Sequence, residues 1–204
     1  IYGCDHGTHV AGVAAGLNAV SRDPTFDGVA KGADIIAIQV FSKFTGSNCS
    51  PLPSPCALSW ISDQIQGLER VYALRNTYKI AAVNMSLGGG RYTSPCDSQP
   101  HKAIIDNLRS SGIATVIASG NNGYTDALSS PACISTAVSV GATEKDDDVA
   151  SFSNSATFLD LLAPGVSIRS SVPNTKTSYA RFSGTSMAAP PRCWGVCLAS
   201  SGES

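Results

Sequence analysis

Ile113-Ala114-Thr115-Val116-Ile117-Ala118 is a short, unbroken apolar run that delivers Ser119-Gly120-Asn121 at its far end. A run of this length, closed by a glycine, reads as a strand buried on both faces of a parallel sheet. Working outward, Gly32 to Phe41, Ile80 to Ser86 and Ala137 to Thr143 read the same way, and Gly88-Gly89-Gly90 stops the second of them. Leu159 to Leu162 and Val166 to Val172 predict shorter strands. Between the runs the period changes. Trp60, Ile61, Ile65, Leu68, Val71, Tyr72 and Leu74 recur at helical spacing and predict a helix over 58–77. Ala103, Ile104, Ile105 and Leu108 predict another, with Gly112 placed to end it. Strands alternating with helices predict an α/β domain with a mostly parallel central sheet and helices on both faces. Ligands bind such sheets beyond the carboxyl ends of the strands, which is where Asn121 falls.

Composition narrows the function classes. The chain has 204 residues, 43% hydrophobic and 14% charged, with a formal net charge of −1. One globular domain with a sizeable core fits these values, and a disordered chain does not. No basic run is present, so nucleic acid is not an expected partner. No apolar run reaches the length of a transmembrane helix, so a membrane is not one either. The expected state is a monomer.

The chemistry sits near the two ends. In Gly184-Thr185-Ser186-Met187-Ala188-Ala189-Pro190, a serine stands between small residues where a helix can begin. A serine hydroxyl is a poor nucleophile until a base takes its proton. The first N–H groups of a helix favour developing negative charge. An ordinary helix N-cap is the plain alternative. The base is offered by His6-Gly7-Thr8-His9-Val10-Ala11-Gly12, which opens a small-residue helix over Val10 to Gly16. Position 188 is Ala, so the segment is not the Gly-x-Ser-x-Gly elbow of α/β-hydrolases. His9 reads as structural. A zinc pair of His6 and His9 lacks a third ligand, because nothing places His101 nearby. Cys4 is too close to His6 in sequence for nucleophile and base geometry and reads as a bystander. Asp146-Asp147-Asp148 reads as a solvated turn rather than a calcium loop.

Together the His6 and Ser186 segments resemble the signatures of the subtilisin-like serine proteases, the subtilases (peptidase family S8). Ala118-Ser119-Gly120-Asn121-Asn122-Gly123 resembles that family's oxyanion-hole segment. Lesser matches are Asn84-Met85-Ser86-Leu87-Gly88-Gly89, Val140-Gly141-Ala142-Thr143, Ser151-Phe152-Ser153-Asn154 and Ala163-Pro164-Gly165-Val166. The resemblance covers roughly residues 3–190. It implies a secreted serine endopeptidase acting on polypeptides through a Ser186 acyl-enzyme, with His6 as general base. Asn121 would donate its side-chain amide to the oxyanion. Ser86, Leu87 and Gly88 would pair with an extended substrate, and Ala118, Ser119 and Gly120 would line the pocket beside the cut bond. No cofactor is required for this chemistry, and the family often binds structural calcium. A catalytically silent peptide-binding protein is the alternative reading.

The chain departs from the family pattern in two places. The triad Asp, which precedes the His on an early strand, has no counterpart here. Asp5 is the sequence neighbour of His6 and would point away from it, and Asp34 comes in the wrong order. The first strand or strands of the sheet are therefore expected to be missing, leaving its edge uncovered. The second departure follows Pro190. Family members continue Pro-His-Val-Ala-Gly and then a buried helix, whereas this chain reads Pro191-Arg192-Cys193-Trp194-Gly195-Val196-Cys197. Back-translated and shifted by one base, that stretch yields His-Val-Ala-Gly-Ala-Phe-Ala-Ser, and Trp followed by Gly forces a Gly in the shifted frame. The expectation is a partial catalytic domain over 1–190 and a frameshifted tail over 191–204. A Pro-Pro start is a poor beginning for the missing helix.

Seven cysteines are present. Cys49 and Cys56 bracket a Ser/Pro-rich loop, and Cys96 and Cys133 lie in loop-like stretches. Pairs 49–56 and 96–133 are expected, which suits secretion; the alternative is free thiols in a reducing compartment. Cys4 is left over, and on the frameshift hypothesis Cys193 and Cys197 are artefacts. Resequencing the locus in both directions tests that hypothesis, and an uninterrupted frame as given rejects it. Without reductant, Cys49, Cys56, Cys96 and Cys133 are expected to resist alkylation; mass spectrometry that finds all four modified refutes both bridges.

Overall fold

A computed structural model of the chain describes residues 3–17, 27–173 and 178–200, with residues 194–200 as backbone only. The elements begin with helix α1 (His6–Ala15), strands β1 (Ser42–Phe44) and β2 (Cys56–Leu58), and helix α2 (Ile61–Leu74). Strands β3 (Ala82–Met85) and β4 (Gly89–Tyr92), helix α3 (Lys102–Ser110), and strands β5 (Ala114–Ala118) and β6 (Leu128–Ser130) come next. Strands β7 (Val138–Thr143), β8 (Leu161–Pro164), β9 (Ile168–Ser171) and β10 (Tyr179–Phe182) lead to helix α4 (Thr185–Ser200).

The centre is a four-stranded parallel sheet in the order β3-β5-β7-β8. Alternate residues of β5 point to opposite faces, and the two faces carry separate cores. Ile117 joins Leu68 and Val71 of α2 and Ile104, Ile105 and Leu108 of α3. Val116 and Ala118 join Val140 and Ala142 of β7, Ala163 of β8, and Ala188 and Ala189 of α4. Helices therefore cover both faces, and that is why β5 and β7 read as continuous apolar runs. Gly112, with φ +78°, follows α3 in the left-handed region where glycine carries no steric cost. Both expected disulfides are formed, Cys49–Cys56 and Cys96–Cys133.

Two expectations are corrected. The buried strand over Gly32 to Phe41 does not form; residues 33–41 carry no ladder, and β1 begins only at Ser42. No described strand lies alongside to take its hydrogen bonds. Ile38 and Val40 lie against α2 at Gly67, while Ile35 and Ile36 are 48% and 45% exposed. At the sheet itself, β3 has a neighbour on one side only. The short strand expected within Val166 to Val172 does form, as β9, and it pairs antiparallel with β10 in a hairpin.

Finally, a helix does stand behind Ser186. α4 runs to Ser200 with Pro190 and Pro191 inside it. Pro190 lacks the N–H that would bond to the carbonyl of Ser186 one turn earlier. Ser86 Oγ donates to that carbonyl instead, at 2.7 Å. A side chain from another element thus satisfies the acceptor that the proline leaves open. Further along, Arg192 Nε and Nη2 donate to Leu162 O and fasten the helix to β8.

Candidate active site

The site is assembled where the first turn of α4 meets the loop after β5. Gly184 N donates to Gly165 O at 2.8 Å, and Gly165 N to Thr143 O at 3.0 Å, so the turn is pinned at the carboxyl ends of β7 and β8. Thr185 is fully buried and Met187 nearly so, while Ser186 between them is half-buried. Ser186 thus stands at the opening of a packed turn. Its Oγ donates to Ser86 O at 3.4 Å. Ser86 Oγ in turn accepts from Asn84 Nδ2 at 3.0 Å.

Asn121 is fixed by its acceptor end. Thr185 N and Thr185 Oγ1 both donate to Asn121 Oδ1, at 2.8 and 2.9 Å, and Gly120 N donates to Thr185 Oγ1 at 3.2 Å. A backbone N–H must face an oxygen, so this contact decides which way round the amide lies. The Nδ2 group is left with no acceptor among the described residues, on a side chain exposed to solvent. The amide is therefore a held donor open to whatever occupies the space beside Ser186.

His6 is the first residue of α1. That helix packs on α4 and on β9. His9 provides the anchor: its ring is fully buried, stacks on Phe182 at 4.3 Å, and lies 3.1 and 3.2 Å from Ile168 O and Ala180 O through Nε2. Two carbonyl partners require the proton on Nε2, leaving Nδ1 buried without a partner. His9 is structural. Burial holds the His6 pKa below the ordinary histidine value, His9 pushes the same way, and Asp5 opposes. His6 is therefore neutral at neutral pH, the form a general base needs. Among the described residues no hydrogen bond joins His6 to Ser186 or to a carboxylate.

The chain thus holds Ser186 to Ser86, and Asn121 and Gly120 to Thr185, in two hydrogen-bonded pairings joined where Thr185 precedes Ser186, while His6 lies on a helix packed against α4. Leu87 packs on the first core and Gly88 is exposed, both in the connection from β3 to β4. Ala118 and Ser119 are 3% and 0% exposed, and Ser119 Oγ turns inward to Asn154 O at 2.9 Å. Their side chains face the interior, which leaves Gly120 as the accessible part of that stretch. Asp146, Asp147 and Asp148 lie on an exposed turn, and among the described residues no cluster of three His, Cys, Asp or Glu side chains could hold a metal ion. The role of Thr185 was missed in the sequence, although it stands beside Ser186 in the quoted motif.

Comparison with known proteins decides the family. The profile of the Subtilase family matches residues 3–201. This chain belongs to the subtilase family. It is 38% identical over 191 residues to Subtilisin E of Bacillus subtilis (strain 168), covering 92% of this chain and 43% of that protein. It is 38% identical to the Extracellular serine proteinase of Thermus sp. (strain Rt41A), covering 91% of this chain and 38% of that one. Among solved structures, a cold adapted subtilisin-like serine proteinase superposes with a TM-score of 0.72 at 32% identity, covering 96% of this chain and 60% of that chain. This subtilase chain thus spans less than half the length of those two relatives.

Two buried histidines, His9 and His101, and the half-buried His6 give this subtilase a pH-dependent stability. His6, His9 and His101 all have pKa values lowered from 6.5, chiefly by burial. The unfolded chain takes up these protons near pH 6.5, and the folded chain only at lower pH. Stability is therefore full above 6.5 and lost as pH falls below it. Thermal melts from about pH 8 down to about pH 5 are expected to show the melting temperature falling below the histidine range; a flat profile contradicts this account.

Proposed function

We propose that this chain carries the nucleophile, base and oxyanion donor of a secreted serine endopeptidase acting on polypeptides. The observation that carries the reading is the double hold of Thr185 on Asn121 Oδ1, which leaves Nδ2 as a fixed donor beside Ser186. Neutral His6 takes the Ser186 proton as Oγ attacks the peptide carbonyl. Charge develops on the carbonyl oxygen and is met by Asn121 Nδ2, with the first N–H groups of α4 favouring the same charge. His6 then gives the proton to the leaving amine, and water hydrolyses the acyl-enzyme. The connection Ser86-Leu87-Gly88 would align the substrate as an added strand, and Gly120 would border its side-chain pocket.

The chemistry needs no cofactor. A structural calcium ion is compatible with it, at no site assigned here. Nucleic acid and membrane play no part, and the working unit is a monomer. Residues 1–190 are taken as the catalytic part, with 191–204 as a frameshifted tail. The second reading, a catalytically silent peptide-binding protein, is favoured by one observation: among the described residues no carboxylate is hydrogen-bonded to His6.

A fluorophosphonate probe separates the two readings because it reports attack by the serine without requiring turnover. The chain is expected to be labelled at Ser186, with labelling abolished in Ser186→Ala. The rate should rise with pH as His6 loses its proton, reaching half its maximum below pH 6.5. A folded chain that takes no label favours the silent binder.

A further inference from the structure

Asn154 closes the Ser151-Phe152-Ser153-Asn154 motif and has no place in the chemistry above. It is fully buried, yet each polar group of its side chain is engaged. Its Oδ1 accepts from Asn122 N at 2.9 Å and Tyr124 N at 3.2 Å. Its Nδ2 donates to Ser119 O at 3.1 Å, Ser129 Oγ at 3.2 Å and Asn122 Oδ1 at 3.4 Å. Its backbone adds Asn154 N to Gly120 O at 3.0 Å, and its carbonyl accepts from Ser119 Oγ at 2.9 Å. Residues 119, 120, 122 and 124 are thus all bound to this one residue. The residue it does not touch is Asn121, which the same loop holds out toward Ser186.

The fit is close. Gly120 has φ +111°, and a Cβ there would stand 2.2 Å from Asn154 Nδ2 and 2.4 Å from Ser129 Oγ. The loop is therefore clasped against the Asn154 amide with no room for a side chain between them. Thr185 holds the tip of Asn121, but only Asn154 holds the backbone on both sides of it. A donor that must sit within a few tenths of an ångström of a developing charge needs both constraints.

We propose that Asn154 is a positioning residue for the oxyanion donor, setting the loop that aims Asn121 Nδ2 at the transition state. The inference rests on the serine-endopeptidase reading of Ser186 and Asn121. Asn154 touches no substrate. It acts through Asn121, so its removal slows the chemical step rather than weakening probe binding.

The test is a double-mutant cycle on the full chain, read as the maximal rate and the half-saturating concentration of fluorophosphonate labelling. Asn121→Ala is expected to lower the maximal rate by about 10²–10³, the loss seen for such a donor in subtilisin. Asn154→Ala is expected to lower it by about tenfold or more with the half-saturating concentration unchanged, as for residues coupled through one hydrogen-bond network. In the Asn121→Ala background the Asn154 change should have almost no further effect. Asn154→Asp keeps the shape and the Oδ1 acceptor but loses the donor to Ser119 O, and carries the same cycle if the alanine variant does not fold. An equal loss in both backgrounds, or no loss, overturns the positioning role alone. An unlabelled parent chain, or an Asn121→Ala variant that labels normally, overturns the endopeptidase reading and this inference with it.

Discussion

The seating of the first turn of α4 on the carboxyl ends of the parallel strands governs the rest of this molecule. Gly184 hangs from Gly165, Gly165 from the end of β7, and Thr185 reaches across to Asn121. Ser186 acquires its position from these bonds rather than from any contact of its own hydroxyl. The helix behind it contains two prolines, which ought to loosen it. Ser86 removes part of that problem by supplying the donor that Pro190 lacks. The segment proposed to contact substrate therefore also stabilises the helix of the proposed nucleophile, so the two proposed roles meet at Ser86.

Much of the sheet could be read from the chain alone. β5 and β7 lie at its centre, where both faces must be apolar, and their sequences say so without interruption. The run at 32–41 has the same texture and fails. Apolar character records burial, while a ladder also needs a neighbour with free N–H and C=O groups. Here one face of that run is half-buried on α2, and among the described residues no strand pairs with its backbone. The hairpin of β9 and β10 was legible only as fragments, because pairing partners leave no mark on local spacing.

The site divides in a similar way. Ser186, His6 and Asn121 stood out because their residue types carry a chemistry and their flanks carry a motif. Thr185 and Asn154 did not, because their work is done by hydrogen bonds to backbone and amide groups brought together from distant parts of the chain. Polar residues of this kind have no period and no spacing rule, and only coordinates reveal that a buried amide makes five side-chain bonds rather than none. The tail after Pro190 shows the reverse error. Two adjacent prolines argue locally against a helix, but packing on the sheet and a borrowed donor overrule that preference.

The interface between α4 and the sheet sets Ala188 and Ala189 on the helix against Ala118, Ala142 and Ala163, with Val116 and Val140 beside them, on the sheet. Methyl-sized groups bring a helix axis close to its sheet and leave no slack for a larger neighbour. Evolutionary drift in side-chain size is consequently shut out of the layer beneath Ser186. New binding preferences must be acquired at the rim, in exposed turns and connections where a bulkier group displaces only water.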